Sequence, residues 1–396
     1  MRIVQKYGGT SVRDPECIRA VAEKIRESHT NNNQVVVVVS ARAGVTDRLI
    51  SDAKKLSQVP KSRELDALLC VGEQETAALL AIALNEIGIR AASQLAFQVG
   101  IRTCSSHGNA RIKNIDAENI ERLLSEKNVV VVAGFQGITE NGDLTTLGRG
   151  GSDLTALALS HRLKADRCEI YTDVDGVYTG NPRIIKNAKL IEEIDSESLM
   201  RLSFAGNEIM QDRSVAFAKK NNIPFKISNT FSKSKGTNVV ARSRKYESCI
   251  VGVTGKTNLC LISCESDRDM VYGILSFFNS RGVDVVFVKQ RRIDGGGFFC
   301  EISTDMYDFA DFSDEFFQNY GGVGKKFTVV KNLSRVDVVG TNVQASPKGV
   351  AIFGEMRGSS VHRSEYGKHG VSFFVGADDH DYESLLNKVH DFMFNV

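Results

Sequence analysis

The chain has 396 residues, 42% of them hydrophobic, and carries 50 basic against 48 acidic residues for a net charge of +2. That length accommodates two or three domains, and the hydrophobic share supplies a sizeable core and argues against bulk disorder. The near balance of charge argues against a general nucleic-acid or polyanion binder, so a charged ligand must be met by local groups.

Eight cysteines lie scattered at 17, 70, 104, 168, 249, 260, 264 and 300, with no C-x-x-C pair. Zinc and disulfide frameworks are therefore poorly supported, and no protein-built metal site is expected. The opening MRIVQKYGG turns charged too soon for a secretory leader. No apolar run approaches membrane-spanning length, so a cytoplasmic protein without membrane contact is expected.

Taken in order, Ile3–Lys6 reads as a short strand running into Gly8-Gly9-Thr10-Ser11, with a helix from Pro15 to Ser28 capped by Asp14. Glycines between a strand and a helix expose N–H groups to an anion, and Lys6 adds a point charge. Gln34–Ser40, with five consecutive valines, reads as a central parallel strand ending in the hydroxyl-rich loop Ser40–Asp47. Arg63–Ile87 is a long helical stretch holding Glu73. Its pattern alone reads Glu73 as a surface residue of an amphipathic helix.

Ala91–Phe97 and Lys127–Gly134 are further strands, and Asn141-Gly142 marks a turn. Then comes Asp143–Asp153, DLTTLGRGGSD, placed between the buried run Val129–Phe135 and an apolar helix from Leu154. Gly148, Gly150 and Gly151 admit close backbone approach, Ser152 or Asp153 can cap the helix, and Arg149 offers a planar fork for a carboxylate or phosphate. Arg167–Tyr171 is a strand ending in Thr172–Arg183, which carries a hydroxyl, two carboxylates, a tyrosine and an arginine. Five loops at five strand ends, Lys6–Ser11, Ser40–Asp47, Phe135–Gly137, Leu147–Asp153 and Thr172–Arg183, thus converge in character. Ligands of open α/β sheets sit at such carboxyl ends.

Lys189–Leu202 and Asn207–Asn221 read as helices, and Phe225–Ser228 as a strand. A polar breaker follows at Ser232–Thr237. It ends a first domain at 1–232 and opens a linker at 233–248. The remainder reads as two βαββα series, 249–330 and 331–396, each ferredoxin-like. The strand 249–254 is available to complete the second. Gly255-Lys256-Thr257 lacks the first glycine of a phosphate-binding loop and reads as a turn between strands.

With these segments in view, the chain resembles the aspartate kinases of the amino acid kinase family nearly end to end. The carrying motifs are KYGGTSV (6–12), VVSARAGVTD (38–47), GE (72–73), AGFQGI (133–138), TTLGRGGSDLTA (145–156), YTDVDGVYTGNPR (171–183) and GNEIMQDRSVAFA (206–218). The resemblance implies a three-layer αβα kinase domain with a mainly parallel sheet, then two ferredoxin-like βαββαβ ACT domains. It implies phosphoryl transfer from MgATP to the side-chain carboxylate of L-aspartate. Ser40, Thr46, Glu73, Phe135, Arg149, Gly150, Gly151 and Ser152 match the amino-acid site, with Arg149 on the α-carboxylate and Glu73 on the ammonium. Lys6, Gly8, Gly9, Ser11, Thr172, Asp173, Tyr178 and Arg183 match the nucleotide site. Lys6 and Asp153 take the catalytic roles. A homodimer through the ACT pair is implied, as is an amino-acid effector there. Two rival readings are a kinase of a related amino acid in a specialised pathway and an amino-acid-sensing pseudokinase.

The chain also departs from the family pattern. Asn207-Glu208 stands where the family has a nucleotide-contacting lysine; Asp267–Met270 lacks the usual Pro-Gly; Ser359–Glu365 lacks the usual Asn-Ile. The first departure bears on the nucleotide; the two in the ACT pair predict that inhibition by lysine or threonine is weak, altered or absent. A steady-state assay with either amino acid at about millimolar concentration checks this, since an effector pocket that has lost its contacts loses most of its binding energy. Strong inhibition by either contradicts it.

Overall fold

The fold is taken from a computed structural model, which describes residues 1–395 except 31, 207–208, 242–249, 267, 282, 284, 294–296, 322–326, 358, 368 and 377–378. The chain divides into two compact units. One comprises Met1–Tyr178, Leu190–Phe204 and Glu208–Lys245; the other comprises Thr179–Lys189, Ala205–Asn207 and Tyr246–Val396.

The first unit is built on an eight-stranded sheet. Its strand order is Glu193–Asp195, Thr237–Val240, Phe225–Asn229, Arg167–Thr172, Arg2–Tyr7, Gln34–Val39, Val129–Ala133, Ala91–Gln94. All adjacent pairs run parallel except the one between Phe225–Asn229 and Thr237–Val240. The valine runs explain the centre. Both faces of Gln34–Val39 and Val129–Ala133 are buried, so only strands apolar on both sides survive there. On one face Tyr7, Val35, Val37, Val39, Val129 and Val131 form a single core with helices Pro15–Thr30 and Ser62–Glu86. The other face receives the helix Gly151–Arg162, buried from Gly151 through Ser160. Helices on both faces make the expected three layers. Asp14 caps its helix as expected, accepting from Cys17 N–H at 2.8 Å.

Several expectations need correction. The glycine-rich loop does not follow the buried strand directly. Gln136–Ile138 and Leu144–Thr146 intervene as an antiparallel pair in a separate four-stranded sheet with Ile101–Thr103 and Ile112–Ile115. Four of the five polar loops therefore belong to the large sheet and one to this hairpin. The stretch 189–202 is not one helix. Glu193–Asp195 is a strand, and the helix Ser196–Phe204 starts where Asp195 accepts from Ser198 N–H at 2.9 Å. Residues 233–241 are not all linker either, since Thr237–Val240 is a strand of the large sheet. The rest of the expected linker, 242–248, lies outside the described residues, as does Cys249. Ser62–Glu86 is long and apolar enough to cross a membrane by length and composition alone. Its Ala77, Leu80 and Leu84 are instead buried against the sheet.

The second unit holds a six-stranded antiparallel sheet in the order Val285–Arg292, Phe298–Asp305, Ile250–Ser266, Phe327–Gly340, Gly370–Gly376, Val361–Gly367. Two expected strand pairs have merged. Gly255-Lys256-Thr257 lies inside the long strand Ile250–Ser266 rather than in a turn. Its partner Phe327–Gly340 is likewise continuous. Asn258 and Asn332, both at positive φ, absorb the irregularity where the register shifts, because asparagine tolerates the left-handed region. The first four strands of the order repeat the ferredoxin pattern, and so do the last four read from the other edge. Ile250–Lys256 pairs with Arg335–Gly340 and so supplies the fourth strand of the second series. Two cores result. One is rich in phenylalanine (Phe277, Phe278, Phe309, Phe316); the other is centred on Val253, Val338, Phe373 and Val389. Ile185, from the segment Thr179–Lys189, is buried in the latter.

Candidate active site

The site is assembled where strands of the large sheet end. Lys6 is the penultimate residue of the central strand. Strand alternation sends Tyr7 into the core and Lys6 to the opposite face, where the helix Gly151–Arg162 begins. There the Lys6 Nζ stands 2.7 Å from Asp153 Oδ1, with each side chain 11% exposed. The contact is close, yet Asp153 Oδ1 has no aligned hydrogen-bond partner. It is an ionic contact rather than a directed hydrogen bond, which leaves Lys6 N–H groups available to an anion.

The loop before that helix is shaped by Gly148 and Gly150 at φ +76° and +70°. Two left-handed residues flanking Arg149 turn its side chain outward, and only glycine takes both positions without strain. Arg149 is exposed and no hydrogen bond or ion pair is found for it among the described residues. The backbone beneath it is braced. Arg213 donates to Leu147 O at 2.6 Å and also to Asn109, and Ser214 Oγ donates to Gly150 O at 3.1 Å. Phe135 is held at φ +68°, with its N–H on Thr155 Oγ1 at 3.1 Å and its carbonyl accepting from Leu147 N–H at 2.8 Å. A bulky residue in that region stores strain, as functional sites commonly do.

Glu73 overturns its surface reading: it is 4% exposed. Gly72 is the reason the helix comes so close, since a Cβ there would lie 2.7 Å from the Ala41 Cβ. Ala41 N–H donates to Glu73 Oε1 at 3.0 Å, while Oε2 has no partner. Burial pushes this carboxyl up to about 7, and the Ala41 hydrogen bond only partly opposes the shift. A buried carboxylate left half-satisfied asks for a cation.

Lys6, Ser40, Thr46, Glu73, Phe135, Arg149, Gly150, Gly151, Ser152 and Asp153 all line one cavity of about 180 Å³. That is below the usual volume for a drug-sized ligand and suits a small polar one. Gly8, Gly9, Ser11, Thr172, Asp173 and Tyr178 do not line it. Gly8 N–H donates to Tyr171 O at 3.2 Å, tying two neighbouring strand ends together. Ser11 is fully buried, its hydroxyl 2.6 Å from that of Thr230. Thr172 Oγ1 donates to Asp173 at 3.1 Å, and the Tyr178 hydroxyl reaches Asp175 at 3.5 Å. Arg183 is exposed and falls in the second unit. A larger cleft, about 760 Å³, opens at the opposite strand ends beside His29, Lys127 and Lys164. It contains none of the expected residues, and parallel sheets bind ligands at the other end.

Asn207 and Glu208 lie outside the described residues. Two supporting residues escaped the sequence reading, Arg213 and Asp66. Asp66 left one signal, a carboxylate seven residues before Glu73 on the same helix.

Residues 1–229 match the family model "Amino acid kinase family". The chain is similar to the aspartokinase of Geobacillus stearothermophilus, 39% identical over 353 residues, covering 88% of this chain and 86% of that one. It is also similar to the aspartokinase of Helicobacter pylori, 45% identical over 274 residues and 68% of each chain. Among solved structures, E. coli aspartokinase III in complex with aspartate and ADP superposes with a TM-score of 0.80 at 22% identity, covering 100% of both chains, a likeness of fold. The aspartate kinase of Synechocystis matches at 30% identity and a TM-score of 0.57, over 98% of this chain and 68% of that one.

The raised Glu73 carboxyl has a stability signature. Its folded pKa, about 7, exceeds the ordinary 4.5, so the protonated form stabilises the fold. That contribution is complete below about 4.5 and is lost as pH rises through about 7. Glu73→Gln, which cannot ionise, should gain on the wild type by roughly 2–3 kcal/mol between pH 5 and pH 8 in denaturant unfolding. A gap that stays constant with pH contradicts this.

Proposed function

This chain belongs to the amino acid kinase family and, within it, to the aspartokinases, and from that premise we propose that it transfers the γ-phosphoryl group of ATP to the side-chain carboxylate of L-aspartate, giving 4-phospho-L-aspartate. The observation that carries the reading is a pair of opposite charges lining one small cavity: Glu73, with an unpartnered buried oxygen, and Arg149, exposed and without a protein partner among the described residues. An α-amino acid brings an ammonium and a carboxylate on one carbon, and so answers both.

The roles follow from chemistry. Glu73 takes the ammonium and Arg149 grips the α-carboxylate through two parallel N–H bonds. Thr46, Ser40 and Ser152 offer hydroxyls at the cavity wall, and the amides that start the helix at Gly151 face the anionic end of the ligand. The acceptor side chain has an ordinary pKa of about 4, so it attacks as the carboxylate and no general base is required. One carboxylate oxygen bonds to the γ-phosphorus, the bond from that phosphorus to the bridging oxygen breaks, and ADP leaves with the electron pair. The obstacle is repulsion between two anions. Lys6 supplies positive charge at the meeting point, and Asp153 fixes its position.

Among the described residues no cluster of three or more His, Cys, Asp or Glu is built to hold a metal, so magnesium would arrive with the nucleotide and supply further charge neutralisation on the phosphates. Asp153, whose buried Oδ1 lacks an aligned partner, suits contact with that ion's water shell. The nucleotide would lie over the adjoining strand ends at Lys6–Gly9 and Thr172–Asp173, with Tyr178 beside them. The buried Ser11 hydroxyl serves to hold the turn.

The second unit suits an amino-acid effector and a homodimer contact, and a cytoplasmic location fits the need for ATP. An acyl phosphate is short-lived and must be consumed at once. Reduction to the semialdehyde would place the enzyme at the entry to lysine, threonine and methionine synthesis.

Two measurements test the reading. With ATP, L-aspartate and hydroxylamine, the chain should yield aspartyl hydroxamate; no ATP-dependent hydroxamate contradicts it. Arg149→Ala should raise KM for aspartate by about tenfold or more while KM for ATP stays within about twofold. Equal rises in both would return the glycine-rich loop to the nucleotide.

A further inference from the structure

The helix Ser62–Glu86 buries a second carboxylate besides Glu73. Asp66 is 1% exposed and lies two turns earlier. Two turns bring both groups to one side of the helix, spaced by about 10 Å along its axis at 1.5 Å per residue. Asp66 touches no part of the cavity, yet it is the more heavily bonded of the two. Its Oδ1 accepts from Thr146 Oγ1 at 2.6 Å and Gly108 N–H at 3.0 Å. Its Oδ2 accepts from His107 Nδ1 at 2.9 Å, Gly108 N–H at 3.0 Å and Thr146 N–H at 3.1 Å. The lone pairs of the carboxylate are fully used.

The partners matter because of where they lead. Thr146 ends the strand that runs into Leu147, Gly148 and Arg149. The turn at Gly108 lies directly beneath Gly148, where an added Cβ would come within 3.2 Å of both Gly108 O and Asn109 Oδ1. Asn109 in turn meets Arg213, which also holds Leu147 O. One carboxylate thus fastens the approach to the Arg149 turn, and the layer beneath that turn, to the helix that carries Glu73.

We propose that Asp66 is a positioning residue for acceptor recognition, setting the separation between Glu73 and Arg149, the groups that the proposed function assigns to the acceptor's ammonium and α-carboxylate. The inference rests on that reading. In the acceptor those two charges share one carbon, so their spacing is fixed. A receptor for them must be equally fixed; Arg213 and Ser214 brace the loop to their own helix, and Asp66 ties its approach to the helix that carries Glu73. The helix acts as the ruler, and Asp66 is the point at which the loop is pinned to it.

The test is Asp66→Asn, which keeps the volume but sets an NH₂ donor against N–H groups that need an acceptor. KM for aspartate should rise about tenfold or more, with KM for ATP within about twofold and kcat at saturation within about threefold, because misplacement of a positioning group is costly for the ligand it aligns. A parallel rise in both KM values, or a fall in kcat with both unchanged, overturns the proposal, since a merely structural role has no reason to single out aspartate. If Asp66→Asn is recovered unfolded, Thr146→Val decides. It removes one hydroxyl donor and keeps the shape, and should raise KM for aspartate alone by a smaller factor; unchanged KM values overturn the proposal. Failure of the functional reading looks different. The wild-type chain would then turn over no aspartate, and this inference would fall with it.

Discussion

The site depends on a carboxylate that the fold buries and only half satisfies. Glu73 lines a small cavity, receives one hydrogen bond, from Ala41 N–H, and keeps one buried oxygen without a partner. Taking a carboxylate out of water costs several kcal/mol unless it is paired, and here the cost appears as a carboxyl pushed up to about 7. A stabilising partner could have been another residue of the chain. Its absence among the described residues leaves the stabilisation to the ligand, so part of the binding energy is relief of a charge the protein holds at a disadvantage. On the proposed reading the same ligand also answers Arg149, which lines the same cavity, and that restricts it to small molecules of mixed charge.

Everything around that pair makes the geometry stiff. The valine-rich parallel strands are buried on both faces and leave their carboxyl ends as the place where polar groups can gather. Gly72 lets the long helix close on Ala41; left-handed glycines on either side of Arg149 aim it; Arg213 and Asp66 tie its backbone to two different helices. The helix Gly151–Arg162, buried along most of its length, brings Asp153 to Lys6 from the other side of the sheet. Each contact is modest by itself, about 1 kcal/mol for an ordinary hydrogen bond, but together they fix a constellation within hydrogen-bond tolerance.

Much of this was legible in the sequence where local chemistry decides. The valine runs announced central strands, GRGGSD announced a loop at a helix start, and Asp14-Pro15 announced a cap. The functional grouping came mainly from the resemblance of motifs, which gathered Ser40, Thr46, Glu73, Phe135, Arg149 and Ser152 as one set. What local pattern could not show depends on distant partners. Glu73 looks like an exposed residue until Ala41, 32 positions away, is known to cover it. Asp66 is unremarkable until residues 107, 108 and 146 converge on it. Thr237–Val240 and Glu193–Asp195 are strands of four and three residues added at the edge of the large sheet by pairing, the first with Phe225–Asn229 and the second with the first, and no periodicity reveals that. Gly255-Lys256-Thr257 has the composition of a turn but is drawn into a long strand by pairing with Phe327–Gly340.

The central claim, that an ionisable Glu73 is the receptor for the acceptor's ammonium, can be weighed by proton counting. Burial pushes this carboxyl up to about 7, so near neutral pH the empty site favours its protonated form more than water does, and an arriving ammonium favours the ionised form. Calorimetric titration of aspartate into the chain, in buffers of differing ionisation enthalpy, should register net release of protons on binding near pH 7. Glu73→Gln should abolish that release. Binding that exchanges no protons, or takes them up, would contradict the account.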